Sequence, residues 1–72
     1  MEQWIANAVG KMHVNKVSQT DIAKKMGVTN DYIWMILNGK KSPKNAEARI
    51  TTAISDIIRE RESSKLKNKL RR

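Results

Sequence analysis

The sequence predicts an all-α fold, four helices followed by a basic C-terminal tail. Apolar residues recur at steps of one, three and four along most of the chain, the spacing that lines up one stripe of a helix. Runs with the period-two alternation of strands are missing, and Pro43 is the only proline in 72 residues. A chain of this length holds one small domain, and such a domain buries only about 60 % of the surface its unfolded chain exposes. There are no cysteines, so disulfides cannot compensate, and thiolate metal sites, redox dithiols and a cysteine nucleophile are excluded.

The first helix is expected from Glu2 to Val14, where Trp4, Ile5, Ala8, Val9 and Met12 share one stripe. Gly10 within it costs roughly 1 kcal/mol against alanine, which weakens the helix without ending it. Ser18-Gln19-Thr20-Asp21 reads as a capping box with Asp in place of the preferred Glu. The second helix follows over Gln19 to Met26, with Ile22, Ala23 and Met26 inward and Gly27 as its left-handed stop. Thr29 is placed as the cap of a third helix, Asn30 to Leu37, whose inward residues are Ile33, Ile36 and Leu37 and whose terminator is Asn38-Gly39. After the basic turn Lys40 to Lys44, Asn45 caps a fourth helix that starts near Ala46. Ile50, Ala53, Ile54, Ile57 and Ile58 form its apolar face. The domain is expected to span 1–62, with the helix pair at about 19–37. A basic tail occupies 63–72, disordered or partly helical, because two leucines hold eight residues with five charges poorly; its charge run reads equally as a solubilising end or a nucleic-acid arm.

Charge narrows the function. Lys and Arg number 15 against 7 Asp and Glu, a net +8, which points to a polyanion or an anionic surface. Residues 59–72 carry seven basic and two acidic side chains, so most of that excess sits in the last fifth of the chain. No apolar run approaches the ~20 residues needed to span a bilayer. The opening residues MEQWIANAVG lack the basic flank and apolar stretch of a signal peptide, so a cytoplasmic location is expected. No metal or cofactor site is expected. His13 reads as a solvent-edge side chain, and no nucleophile, base and orienting group can be assembled, which speaks against an enzyme.

Two short helices joined by a tight Gly-containing turn are the sequence image of a helix-turn-helix. With Ile33, Ile36 and Leu37 inward, the third helix turns Asn30, Asp31, Trp34, Met35 and Asn38 outward. Asn30 can pair with adenine bidentately, Asp31 can accept from cytosine N4, and Trp34 or Met35 can meet a thymine methyl. Phosphate contacts fall to Gln19 at the start of the second helix, to Thr29, and to Asn38, Lys40, Lys41 and Lys44 beside the third. Each residue also has a plainer role open to it: Asn30 and Asp31 are good first-turn residues, and Asp31 suits the positive end of a helix dipole. Trp4 reads as an anchor of the first helix on the core.

The stretch SQTDIAKKMGVTNDYIWMILNGKKSP resembles the Cro/C1-type, or XRE-like, helix-turn-helix family of phage repressors and Cro proteins. The matching features are Gln19, Ile22-Ala23, Gly27-Val28-Thr29, Ile33 and Ile36, Asn38-Gly39-Lys40 and Pro43, and the likeness covers about residues 4–58. It implies a compact, lambda-repressor-like fold and a homodimer that binds a palindromic operator in double-stranded DNA. It also implies base reading at the positions of Asn30, Asp31 and Met35. A phage or mobile-element regulator, working at the nucleoid of a bacterial or phage-infected cell, would follow. Members of the family often carry a Glu where this chain has Leu37 and an Arg where it has Met12, so an apolar contact is expected in place of an ion pair. Many relatives have a fifth helix after a Gly-containing turn, whereas here the fourth runs into the basic tail, leaving the dimer surface open. The alternative reading keeps the fold and makes the partner a protein, an inhibitor or antirepressor acting through Trp34, Met35 and Asp31. A third places the tail on a membrane surface, where two leucines bury little.

Overall fold

Four stretches of the chain can form helices whose apolar stripes meet, and all four do so. The computed structural model describes residues 2–70, and side chains through Ser64. Met1, Arg71 and Arg72, at the ends of the expected 1–62 and 63–72 segments, lie outside the described residues. The elements are α1 (Gln3–Asn15), α2 (Gln19–Met26), α3 (Asn30–Leu37) and α4 (Ala46–Leu70), and the described residues include no strand. The fold is all-α, as expected.

α1 begins one residue later and ends one residue later than its periodicity suggests. Its exit is unusual, because Lys16 adopts a left-handed conformation at φ 56°, which costs a non-glycine residue of order 1–2 kcal/mol. Three sets of bonds hold it there. Its amide donates to the His13 carbonyl, the Val17 amide donates to the Met12 carbonyl at 2.8 Å, and the Arg61 guanidinium donates to the Asn15 and Lys16 carbonyls at 2.9 Å each.

α2 and α3 share one construction. Ser18 and Thr29 cap them, their hydroxyl oxygens accepting from the Asp21 and Tyr32 amides at 3.1 Å. The residue before each cap is Val17 or Val28, and the fourth helical residue is Ile22 or Ile33. Val17, Ile22 and Ile33 lie in the buried cluster and Val28 packs against it, the arrangement of a hydrophobic staple that fixes the angle at which each helix leaves its turn. Gly27 closes α2 at φ 71° and Gly39 follows α3 at φ 74°, a region that a side chain would strain.

The core draws on every helix: Ile5, Ala8 and Met12 from α1, Ile22 and Ala23 from α2, Ile33, Ile36 and Leu37 from α3, and Ala46, Ile50, Ala53, Ile54 and Ile57 from α4. Full burial of each large aliphatic side chain contributes roughly 1.5–3 kcal/mol. Met12 and Leu37 are 8 % and 6 % exposed, so both contribute to the apolar interior rather than to a charged pair. Val9 is a correction, since it is 41 % exposed. It lies about 70° from the centre of the stripe defined by Ile5, Ala8 and Met12, and unlike Trp4 on the other flank it is too short to reach back.

α4 runs on past 62 to Leu70, the partly helical of the two expectations for the tail. It contains no Gly or Pro from Ala46 to Leu70, elongation adds a hydrogen bond for every residue fixed, and serine costs only tenths of a kcal/mol, so Ser63-Ser64 do not end it. Basic residues near its end also suit the negative pole of the helix dipole. At 1.5 Å per residue this helix is about 37 Å long. It accounts for extents of 47 × 23 × 16 Å and a radius of gyration of 13.4 Å, against about 11 Å for a compact chain of this length. Among the described residues no helix is long and apolar enough to cross a membrane.

Candidate functional site

The starts of α2 and α3 lie side by side. Gln19, the first residue of α2, donates from Nε2 to Asn30 Oδ1 at 3.3 Å, and Asn30 is the first residue of α3. Asn30 is exposed and Gln19 half-buried. In this contact Asn30 Oδ1 accepts, and its second lone pair and both Nδ2 hydrogens remain available.

The rest of the outer face of α3 is less uniform than the helical period suggests. Asp31 is exposed and makes neither a hydrogen bond nor an ion pair among the described residues. Trp34 is 46 % exposed, a large apolar surface on a short helix. Met35 is only half-buried rather than fully outward. The chain returns past it, and the Lys40 and Lys41 amides both donate to the Met35 carbonyl, at 2.7 and 3.2 Å.

This return also reshapes the expected phosphate-binding turn. The amides of Asn38, Gly39, Lys40 and Lys41 all bond back to α3, and Asn38 Nδ2 donates to the Trp34 carbonyl at 2.8 Å. Asn38 therefore acts as a C-terminal cap, with one amide hydrogen already engaged. The positive charge of the turn comes from the exposed Lys40, Lys41 and Lys44 side chains. The Lys41 ammonium sits 5.7 Å from the centre of the Tyr32 ring, within the reach of a cation–π contact. Thr29, although a cap, keeps its hydroxyl hydrogen free to donate outward.

At the start of α2 the capping box closes in both directions. The Ser18 amide donates to Asp21 Oδ2 at 2.9 Å while the Ser18 hydroxyl accepts from the Asp21 amide. This leaves the Gln19 and Thr20 amides as the open donors at the positive end of the helix, with no acceptor among the described residues. The Asp21 carboxylate, beside those donors, is held below the usual carboxylate range by the Ser18 amide and hydroxyl and then by Arg61. Arg61 Nη2 donates to it at 3.0 Å, so the negative charge is offset by a cation brought in from α4.

Arg61 is not legible in the sequence as a site residue. It joins α4 to the end of α1 and the start of α2 through partners 40, 45 and 46 positions away, and nothing in the local sequence marks such a span. Tyr32 and the Lys25–Glu60 ion pair are further contacts of this kind. Among the described residues no group of three or more His, Cys, Asp or Glu could hold a metal. Comparison with known protein families, with curated proteins and with solved structures returned no significant match.

Proposed function

We propose that this chain is a sequence-specific double-stranded DNA-binding regulator, a helix-turn-helix domain of repressor or Cro type that acts by occupying an operator as a homodimer. α3 enters the major groove with Asn30, Asp31, Trp34 and Met35 toward base edges. The open amides of Gln19 and Thr20, the Thr29 hydroxyl and the side chains of Lys40, Lys41 and Lys44 take phosphates on either side. Asn38 contributes its remaining amide hydrogen. The observation that carries this reading is the Gln19–Asn30 contact. It places a side chain suited to adenine beside the helix start that offers donors to phosphate.

Selection of bound sequences from random duplex DNA at near-physiological salt tests it. Enrichment of a palindrome with half-sites about one helical turn apart is expected, and a selected pool as random as the input would overturn it. A protein partner on the same face is the second reading, favoured by the exposed Trp34 indole next to Asp31, which has no cation partner among the described residues. Under it, DNA binding would be weak and non-selective.

A further inference from the structure

α2 and α4 lie alongside each other in opposite directions. Asp21, early in α2, meets Arg61, and Lys25, near its end, pairs with Glu60 and shares a groove with Arg49, Thr52 and Asp56. As α4 proceeds it therefore passes the start of α2 at Arg61 and continues as helix to Leu70. Position 69 lies about 12 Å of helix rise beyond Arg61. The overrunning segment leaves the body of the protein on the side to which α2 points its open amides.

Two of its basic positions also share a register with Arg61. Arg61, Lys65 and Lys69 are spaced i, i+4, i+8, which puts the three positions along one stripe of α4. Arg61 anchors the stripe by binding the Asn15 and Lys16 carbonyls and Asp21, so the stripe begins on the face of α4 turned to the α1–α2 junction. Position 67 falls about 200° round the helix from 65.

We propose that residues 62–70 form a basic helical arm whose positions 65 and 69 run along the DNA sugar–phosphate backbone next to the phosphates held by the start of α2, extending the contact beyond α3. The inference rests on the DNA reading above. The stretch from position 65 to position 69, about 6 Å of helix rise, matches the axial rise of about two nucleotides of one strand at 3.4 Å each. The arm carries no sequence information and adds affinity to every duplex.

The test compares Lys69→Gln with Lys67→Gln, equal in charge and opposite in face, together with the double variant Lys65→Gln/Lys69→Gln, all in the full chain. Glutamine keeps the helix propensity of lysine closely, and circular dichroism checks the fold of each. Salt titration on the selected operator should show the slope of log K against log salt falling by about 0.9 for Lys69→Gln and about 1.8 for the double variant. Lys67→Gln should leave the slope unchanged. Hydroxyl-radical footprints should lose protection flanking the half-site in the double variant only. Equal effects of Lys67→Gln and Lys69→Gln would overturn the oriented arm in favour of a diffuse charged end. Wild-type slope and footprint in the double variant, with operator selection intact, would overturn the arm and leave the DNA reading standing. Binding to anionic vesicles with no duplex binding at all would overturn both.

Discussion

α2 and α3 are helices of equal length that begin in the same way, with a valine, a hydroxyl cap and an isoleucine four residues into the helix, and both are closed by a glycine in the left-handed region. They differ in what their polar first turns do. In α2 the third residue is Asp21, whose carboxylate is held by Ser18 and Arg61. In α3 the third residue is Tyr32, and Asp31 and Trp34 have no side-chain hydrogen bond among the described residues. One helix is locked to the body of the protein and the other is presented by it. α2 turns the Asp21 side chain of its first turn into a tie to the body, while α3 leaves Asp31 and Trp34 without such a tie among the described residues.

The shared part of the construction should fail equally in both. Ile22→Ala or Ile33→Ala removes a fully buried staple residue and is expected to cost about 2–5 kcal/mol, read by denaturant titration. A markedly smaller loss at one of the two would show that the two staples are not equivalent.

Trp34→Ala separates presentation from support. It should leave the melting temperature nearly unchanged, because the indole is 46 % exposed and lies outside the buried set Ile33, Ile36 and Leu37, while operator affinity or selectivity changes. A loss of about 2 kcal/mol or more for a protein partner, with DNA binding weak in both forms, would shift the assignment to the second reading. Unfolding would mean that α3 faces the other way.

The caps come next. Ser18→Ala and Thr29→Ala should each cost about 1 kcal/mol, with Ser18 the larger because it breaks a reciprocal pair. Equal losses in thermal unfolding would argue that the Asp21 side of the box contributes little.

The smallest effect concerns acid. Asp21 is held below its ordinary value, so the stability it contributes is fully present above the unfolded carboxylate value near about 3.9 and lost as pH falls through the lower folded value. Asp21→Asn should therefore destabilise the protein at neutral pH and matter progressively less below about pH 4. A stability difference independent of pH would remove the carboxylate charge from the explanation.

The same contrast explains how much of the molecule is legible in its sequence. The ends of α2 and α3 can be read to the residue because their signals are local: Ser18 and Thr29 at the starts, Gly27 and Gly39 at the exits. The inward set Ile22, Ile33, Ile36 and Leu37 follows from period alone. Val17 escapes such a reading because a single buried valine in a three-residue turn has no periodicity. Met35 has an outward register, and its partial burial depends on a chain return that no helical wheel contains. Periodicity ends α4 too early because core-forming residues thin out after Ile58, whereas continuing an existing helix needs only the absence of a breaker.

Base preference with and without the Asn30 side chain tests most directly that the outer face of α3 reads DNA. Parallel selections with the wild-type chain and Asn30→Ala should return the same palindrome and spacing. The variant should lose discrimination at one position in each half-site, by about 1–3 kcal/mol. Identical preferences at every position would contradict reading by this helix.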